Sequence, residues 1–187
     1  MNGLCADDEL QALVAAIEDD SGAELAEVDR LIRDYPDDGR LHFLRGSILA
    51  SIGRPIEAMP ALRRAVELAP DLAIARFQLG FFQLTSGEAA NALGSWGPLA
   101  LLPEDHYLRK FVAGLTHLIR DEFAEAELHL GQGIAANAEN PPLNRDMQLL
   151  LDQIRVMLAA PADSQRAGDT TSATSFLLDQ LANRSVH

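Results

Sequence analysis

Two of the five histidines are the residues whose type and spacing come closest to a chemical site. His117 and His129 fall in two segments that are expected to form adjacent helices. Imidazole rings bind metals, but a metal centre needs more ligands and residues that orient them. The chain has neither an HExxH nor a CxxC motif, and Gly131-Gln132-Gly133 follows a helical segment, unlike a dinucleotide-binding turn. We therefore expect no catalytic residue, no metal, no cofactor and no enzymatic activity.

A column of cations recurs beside a column of phenylalanines. Each cation directly precedes a phenylalanine, and the pairs recur at a constant interval, with Arg40 near the first pair. One interpretation is a basic rim that attracts acidic residues flanking an apolar ligand. The alternative is solvated charge paired with neighbouring acids, which contributes little to stability. The pairs are His42-Phe43, Arg76-Phe77 and Lys110-Phe111.

The composition favours a helical protein that does not bind nucleic acid. Of 187 residues, 48% are apolar and 5% aromatic, a balance typical of helices rather than sheets. The net charge of −13 disfavours duplex DNA, because phosphate contacts need Lys and Arg. Residues 1–38 hold most of that charge, with 12 acidic and two basic side chains. Cys5 is the only cysteine, and no signal peptide or membrane span is evident, so we expect a cytoplasmic protein without disulfides.

Small residues recur at an interval of about 34 residues, which is the period of stacked helical hairpins and is referred to below as the repeat interval. Each unit has a helical stretch, a break and a second helical stretch. The break contains Gly53 in the first unit and Gly87 in the second, and it is Asp121-Glu122 in the third. Glycine inside a helix is costly, so its recurrence predicts a close approach of the second helix through a column of small alanines. The columns are Gly46, Gly80 and Gly114 in the first helices, and Ala58, Ala92 and Ala126 in the second helices.

These columns resemble the tetratricopeptide repeat family, together with Ala65, Trp96 and the helix-ending Pro36 and Pro70. The resemblance implies an all-α fold, a right-handed superhelical stack of antiparallel helix hairpins. It covers three units, 39–72, 73–106 and 107–140, and extends to a degenerate helix pair over 5–38. The chain departs from the family where His42, Arg76 and Lys110 fill an early column that is normally large and apolar.

In that family the first helices of the hairpins line a concave groove that binds peptides. The resemblance therefore implies an apolar groove here, because residues three or four apart share one helix face. Phe81 and Leu115 are expected to be the most exposed. The alternative is that the phenylalanines pack between hairpins in the core. The candidate peptide-binding residues are Phe43, Ser47, Phe77, Phe81, Leu84, Phe111, Leu115, Leu118, Arg40, His42, Arg76 and Lys110.

The C-terminal part is predicted to contain a cap and a tail. Residues 141–160 have helical spacing and are expected to cover the end of the stack. Residues 161–187 are predicted to be a flexible tail with a short amphipathic segment over 175–183. The apolar residues of that segment suggest docking into the groove of the same chain or of a second copy. They are Phe176, Leu177, Leu178 and Leu181.

Three functions are compatible with this organisation. The first is an adaptor or scaffold that binds an apolar segment of another protein, with acidic flanking residues. The second is a chaperone resembling those of bacterial type III secretion, which are small, acidic, three-repeat proteins that hold secreted translocators. The third is a non-catalytic regulatory domain of an enzyme system.

Overall fold

The computed structural model describes residues 3–18 and 23–159, and every regular element within those ranges is a helix. The predicted all-α class is therefore confirmed for this part of the chain. Residues 160–187, which contain the predicted tail 161–187 with its amphipathic segment 175–183, lie outside the described residues. The helices are α1 (Asp7–Glu18), α2 (Glu24–Asp34), α3 (Gly39–Ser51), α4 (Pro55–Leu68), α5 (Ala73–Thr85), α6 (Ala89–Trp96), α7 (Tyr107–Ile119), α8 (Phe123–Ala136) and α9 (Pro141–Ala159), and a 3₁₀ helix, Gly97–Leu101, follows α6.

The described residues form two compact units, divided between Leu79 and Gly80. In the first unit α1 packs on α2, α2 on α3 and α3 on α4. In the second unit α7 packs on α8, and α8 packs on α9. The predicted cap α9 buries one stripe of apolar side chains, Met147, Leu150, Leu151 and Ile154. No helix within these ranges is long and apolar enough to cross a membrane.

The turns inside the three hairpins share one backbone geometry, which recurs once per repeat. Gly53, Gly87 and Asp121 all have positive φ, at 71°, 81° and 57°. In each turn the amide of this residue donates to the carbonyl three residues earlier. The next amide donates to the carbonyl five residues before it. This is the hydrogen-bond pattern of the Schellman motif, which ends a helix by satisfying its last carbonyls.

The helix glycines lie close to the second helix, as predicted, but the atoms nearest to them belong to large side chains rather than to the alanine column. A β-carbon at Gly46 would lie 2.7 Å from Leu62 Cγ, and one at Gly114 would lie 2.8 Å from Leu130 Cγ. Gly80 faces Trp96 in the same way. In each hairpin the partner therefore lies one helical turn beyond the predicted alanine. The three alanines themselves are fully buried.

Candidate functional site

The side chain of Arg40 makes hydrogen bonds and an ion pair within the protein. Its guanidinium donates to the two carboxylate oxygens of Asp38 at 3.1 and 2.8 Å, and to the Cys5 carbonyl at 2.7 Å. It also pairs with Asp7 at 3.0 Å. The buried Asp38 further accepts hydrogen bonds from the amides of Cys5 and Arg40. The predicted peptide-binding role of Arg40 is replaced by a structural one, because these bonds fasten the N-terminal segment to the start of α3.

The pKa values of Asp38 and Cys5 reflect the burial of both residues and the groups around them. Burial raises the pKa of Asp38, but the hydrogen bonds from Arg40 and from the Cys5 amide outweigh burial and hold the pKa below its ordinary 3.8. The Cys5 thiol has its pKa raised, first by burial and then by the nearby Glu9 and Asp38. A thiol with a raised pKa forms little thiolate, so Cys5 is suited to packing rather than to nucleophilic chemistry.

His42 and Arg76, two members of the cationic column, bond the turns between hairpins. His42 Nε2 lies 2.8 Å from the carbonyl oxygen of Pro36. Arg76 donates to the carbonyl oxygen of Pro70 at 3.2 Å. Both bonds join the side chain to the carbonyl of the proline six residues earlier, so a hydrogen-bonding side chain at these two positions has a structural reason. A guanidinium has five N–H donors, and the bond to Pro70 uses one of those on Arg76.

In the third predicted repeat, residues 107–140, a different residue bonds the turn before the first helix. Arg109 donates to the Leu102 carbonyl at 2.7 Å and approaches Glu104 at 3.8 Å. Lys110, which the repeat interval aligns with His42 and Arg76, is partly exposed on α7. The cationic column is therefore not one continuous rim of equivalent side chains.

Five of the predicted peptide-binding residues lie in the core. The expectation that Leu115 is exposed is wrong, because its exposed fraction is 0%. In the third hairpin, α8 packs on α7 and covers the face of α7 on which Phe111 lies. The ring of Phe111, for example, lies against Gly133 of α8. A peptide cannot contact these side chains without opening the hairpins. The buried residues are Phe77, Leu84, Phe111, Leu115 and Leu118.

Phe43, Ser47 and Phe81 remain partly exposed. The Ser47 hydroxyl of α3 lies 3.0 Å from the Phe43 carbonyl and 2.7 Å from Gln78 Oε1 of α5. One turn before Gln78 stands Ile74, which is also partly exposed. Phe43, Ser47, Ile74 and Gln78 therefore form a surface on two adjacent helices, and we name it the α3–α5 face.

Gln78 and Ile74 were not among the residues predicted from the sequence. The repeat aligns Ser47 with Phe81 in the next unit. The hydrogen bond instead joins Ser47 to Gln78, a residue almost one turn before Phe81. The available signal was the one-turn spacing of Ile74 and Gln78, which matches that of Phe43 and Ser47.

The two central histidines do meet, as the sequence indicated, but not as metal ligands. The rings of His117 and His129 stack with centroids 5.2 Å apart and planes 2° apart. Lone pairs of ring nitrogens lie in the ring planes, so parallel rings do not direct them to one ion. His117 Nδ1 lies 2.6 Å from Glu122 Oε2, whereas His129 Nδ1 is buried with no hydrogen-bond partner among the described residues.

The surroundings of His129 favour its neutral form. Burial lowers the pKa of His129 below its ordinary 6.5, and His117 and Lys110 lower it further. Glu125 acts in the opposite direction and does not reverse the shift. His129 is therefore stacked on His117 at the contact between α7 and α8, in surroundings that favour its neutral form.

In residues 3–18 and 23–159, no three His, Cys, Asp or Glu side chains are grouped to hold a metal ion. A comparison with known families finds no family model that matches this chain, and no curated protein matches it either. The function proposed below therefore depends on the contacts of the described residues.

Proposed function

We propose that this chain is a tetratricopeptide-like repeat protein that binds an apolar segment of another protein. The recurring features support the repeat: α3, α5 and α7 begin at equal intervals along the chain, and the three turns have the same hydrogen bonds. The glycine contacts recur with the same offset. The proposed architecture is a right-handed superhelical stack of these hairpins, with α9 as its C-terminal cap.

The partly exposed Phe43 on the α3–α5 face is the observation that carries the binding function. Phe43 and Ile74 supply apolar surface, and the linked Ser47 and Gln78 supply polar groups one turn further along each helix. Aromatic anchors beside a few polar groups are typical of surfaces that bind peptides. Phe77 and Phe111, which the repeat interval aligns with Phe43, are buried, so Phe43 is the partly exposed member of this column.

Charge near this face indicates the chemistry of the partner. His42 directly precedes Phe43. Arg76 is two residues from both Ile74 and Gln78, so its side chain leaves α5 on a different side and can pair only with residues that flank the ligand. Arg76 keeps further N–H donors after its bond to the Pro70 carbonyl. An acidic residue that flanks an apolar ligand would find a cation here, which favours association and fixes orientation. The proposed ligand is therefore an apolar segment with an acidic flank.

Affinity capture from an extract of the source cells tests this function. The wild-type chain is compared with Phe43→Glu, which places a negative charge in the proposed face. Ile56→Glu is the matched control, since Ile56 is 89% exposed on α4 and is not part of the face. We expect a protein captured by the wild type and by Ile56→Glu to be depleted at least about tenfold with Phe43→Glu. Equal capture by all three chains would place the binding surface elsewhere.

A further inference from the structure

Two cavities lie along one side of the α8–α9 pair. The first, of about 560 Å³, is lined by Ile134 of α8 and by α9 residues that include Asn144 and Gln148. The second, of about 530 Å³, is lined by one face of α8 and by Arg155 of α9. Asn144, Gln148 and Arg155 are four and seven residues apart and share one stripe of α9. The cavities are therefore two parts of one surface, the α8–α9 cleft.

Residues of α9 that line this cleft can be compared with the residues of α7 that lie one repeat interval earlier. Gln148 and Leu149 follow Gly114 and Leu115 by one repeat interval. In α7 that stripe packs against its hairpin partner α8, and Leu115 is 0% exposed. In α9 the equivalent Leu149 is 40% exposed. Up to Ala159, where the described residues end, no helix follows α9 to cover that stripe.

The remainder of the chain contains one apolar segment within reach of the cleft. Ser175–Leu181 reads SFLLDQL and is separated from Ala159 by residues 160–174. A flexible tether of that length has a typical end-to-end distance of about 20 Å. The distance along α9 from Ala159 back to Gln148 is about 16 Å. Such a tether gives an effective concentration of roughly millimolar, so even weak docking would be populated.

The apolar residues of the segment complement those of the cleft. Leu178 and Leu181 are three residues apart and would share one face of a helix. Leu128, which lines the second cavity, is 57% exposed and offers apolar surface to that face. Leu149, in the first cavity, offers a second apolar contact.

The charges point to the same pairing. Arg145 lines the first cavity, and Arg155 lines the second, where it already pairs with Glu127 at 2.7 Å. Arg145 is therefore the cation that the cleft offers to an acidic residue. Asp179 is the one acidic residue of the segment. We propose that Ser175–Leu181 docks in the α8–α9 cleft of its own chain, in the position that a hairpin partner of α9 would take. This inference does not rest on the peptide-binding function proposed above.

Hydrogen–deuterium exchange of the full-length chain tests the docking. We expect the amides of 175–181 to exchange about tenfold more slowly than those of a free peptide of the same sequence. Leu128→Asp combined with Leu149→Asp is expected to abolish that protection. Both side chains are exposed, so the variant should fold, which circular dichroism verifies. Ile56→Asp, at an exposed site of the first unit, is the control and should keep the protection.

Three results would overturn the proposal. The first is exchange of 175–181 at the rate of the free peptide in the wild type. The second is protection that persists in the Leu128→Asp, Leu149→Asp variant, because the segment would then lie elsewhere. The third is protection that accompanies a dimer in light scattering and disappears on dilution, because the cleft would then hold the segment of a second copy.

Discussion

Leu130 lies directly against the backbone of Gly114. A β-carbon at Gly114 would be 2.8 Å from Leu130 Cγ and 3.0 Å from the Leu130 amide nitrogen. The leucine can rotate or shift, but the backbone of α8 can do so only if the hairpin moves. The cost of a glycine inside α7 is therefore offset by close packing of α7 on α8.

Replacing Gly114 with alanine should destabilise the protein even though alanine is the better helix former. Overpacking of this kind typically costs about 1–3 kcal/mol, more than the roughly 1 kcal/mol gained in helix propensity. Gly94→Ala in α6 is the matched control, because a β-carbon there meets nothing within 4 Å. Urea unfolding should show a lower midpoint for Gly114→Ala and a raised one for Gly94→Ala. A higher midpoint for both would mean that the contact at Gly114 is not tight.

The positive φ of the third turn predicts a stabilising substitution. Asp121 has φ of 57°, a conformation that costs an ordinary residue about 1–2 kcal/mol and glycine almost nothing. Asp121→Gly should raise the free energy of unfolding by roughly 0.5–1 kcal/mol, since aspartate tolerates this region better than most residues. Gly87→Ala should lower the stability, and only through the backbone, because its β-carbon would meet nothing within 4 Å. Thermal unfolding that ranks the two variants in the reverse order would contradict the shared turn geometry.

Removing the buried carboxylate at Asp38 should release the N-terminal segment. Asp38→Ala removes the buried acceptor of the Cys5 amide and leaves Arg40 only the Cys5 carbonyl and the exposed Asp7 among its described acceptors, a loss of about 2–4 kcal/mol. The neighbouring Asp37→Ala is the control, because within the described part of the chain Asp37 has an exposed ion pair with Arg64 at 3.4 Å. The rate at which Cys5 reacts with a thiol reagent measures the release. It should rise in Asp38→Ala and stay at the wild-type value in Asp37→Ala.

Acidification should weaken the α7–α8 hairpin through His129. Its pKa is lowered in the folded state, so the unfolded chain binds the proton more readily. The stability from this group is fully present above the ordinary pKa of 6.5 and falls as the pH drops through 6.5 towards the lowered value. His129→Gln, which cannot titrate, should lose less stability than the wild type between about pH 7.5 and about pH 5.5. Equal losses in urea unfolding would show that His129 is not the group responsible.

The sequence was sufficient to predict that the described residues form helices, but not which side chains meet where the helices pack. The repeat interval between Gly46 and Gly80 correctly indicated close packing inside each hairpin. It did not indicate that Leu62 rather than Ala58 fills the space, because period alone does not specify how far one helix is shifted along its partner. A small residue opposite a large one packs as closely as two small residues, so both arrangements fit the same pattern.

The candidate site was only partly predictable for a related reason. Spacing by three and four places Phe111 and Leu115 on one helix face, but it does not show whether another helix covers that face. The structure covers it with α8, and both residues are core. Phe43 lies on the corresponding helix of the first unit and stays partly exposed. Whether the basic side chains bind a ligand or bond the protein's own turns was equally hard to predict. The bond from Arg76 to the Pro70 carbonyl depends on a turn whose shape the sequence does not specify.

The most direct test of the central claim is the dissociation constant of the captured partner for the purified chains. Binding of its apolar, acid-flanked segment should weaken by about 10- to 100-fold with Phe43→Glu, because a charge would replace the aromatic anchor. With Ile56→Glu the dissociation constant should stay within about twofold of the wild type. A Phe43→Glu chain that is folded and binds as tightly as the wild type would contradict the claim that the α3–α5 face is the binding surface.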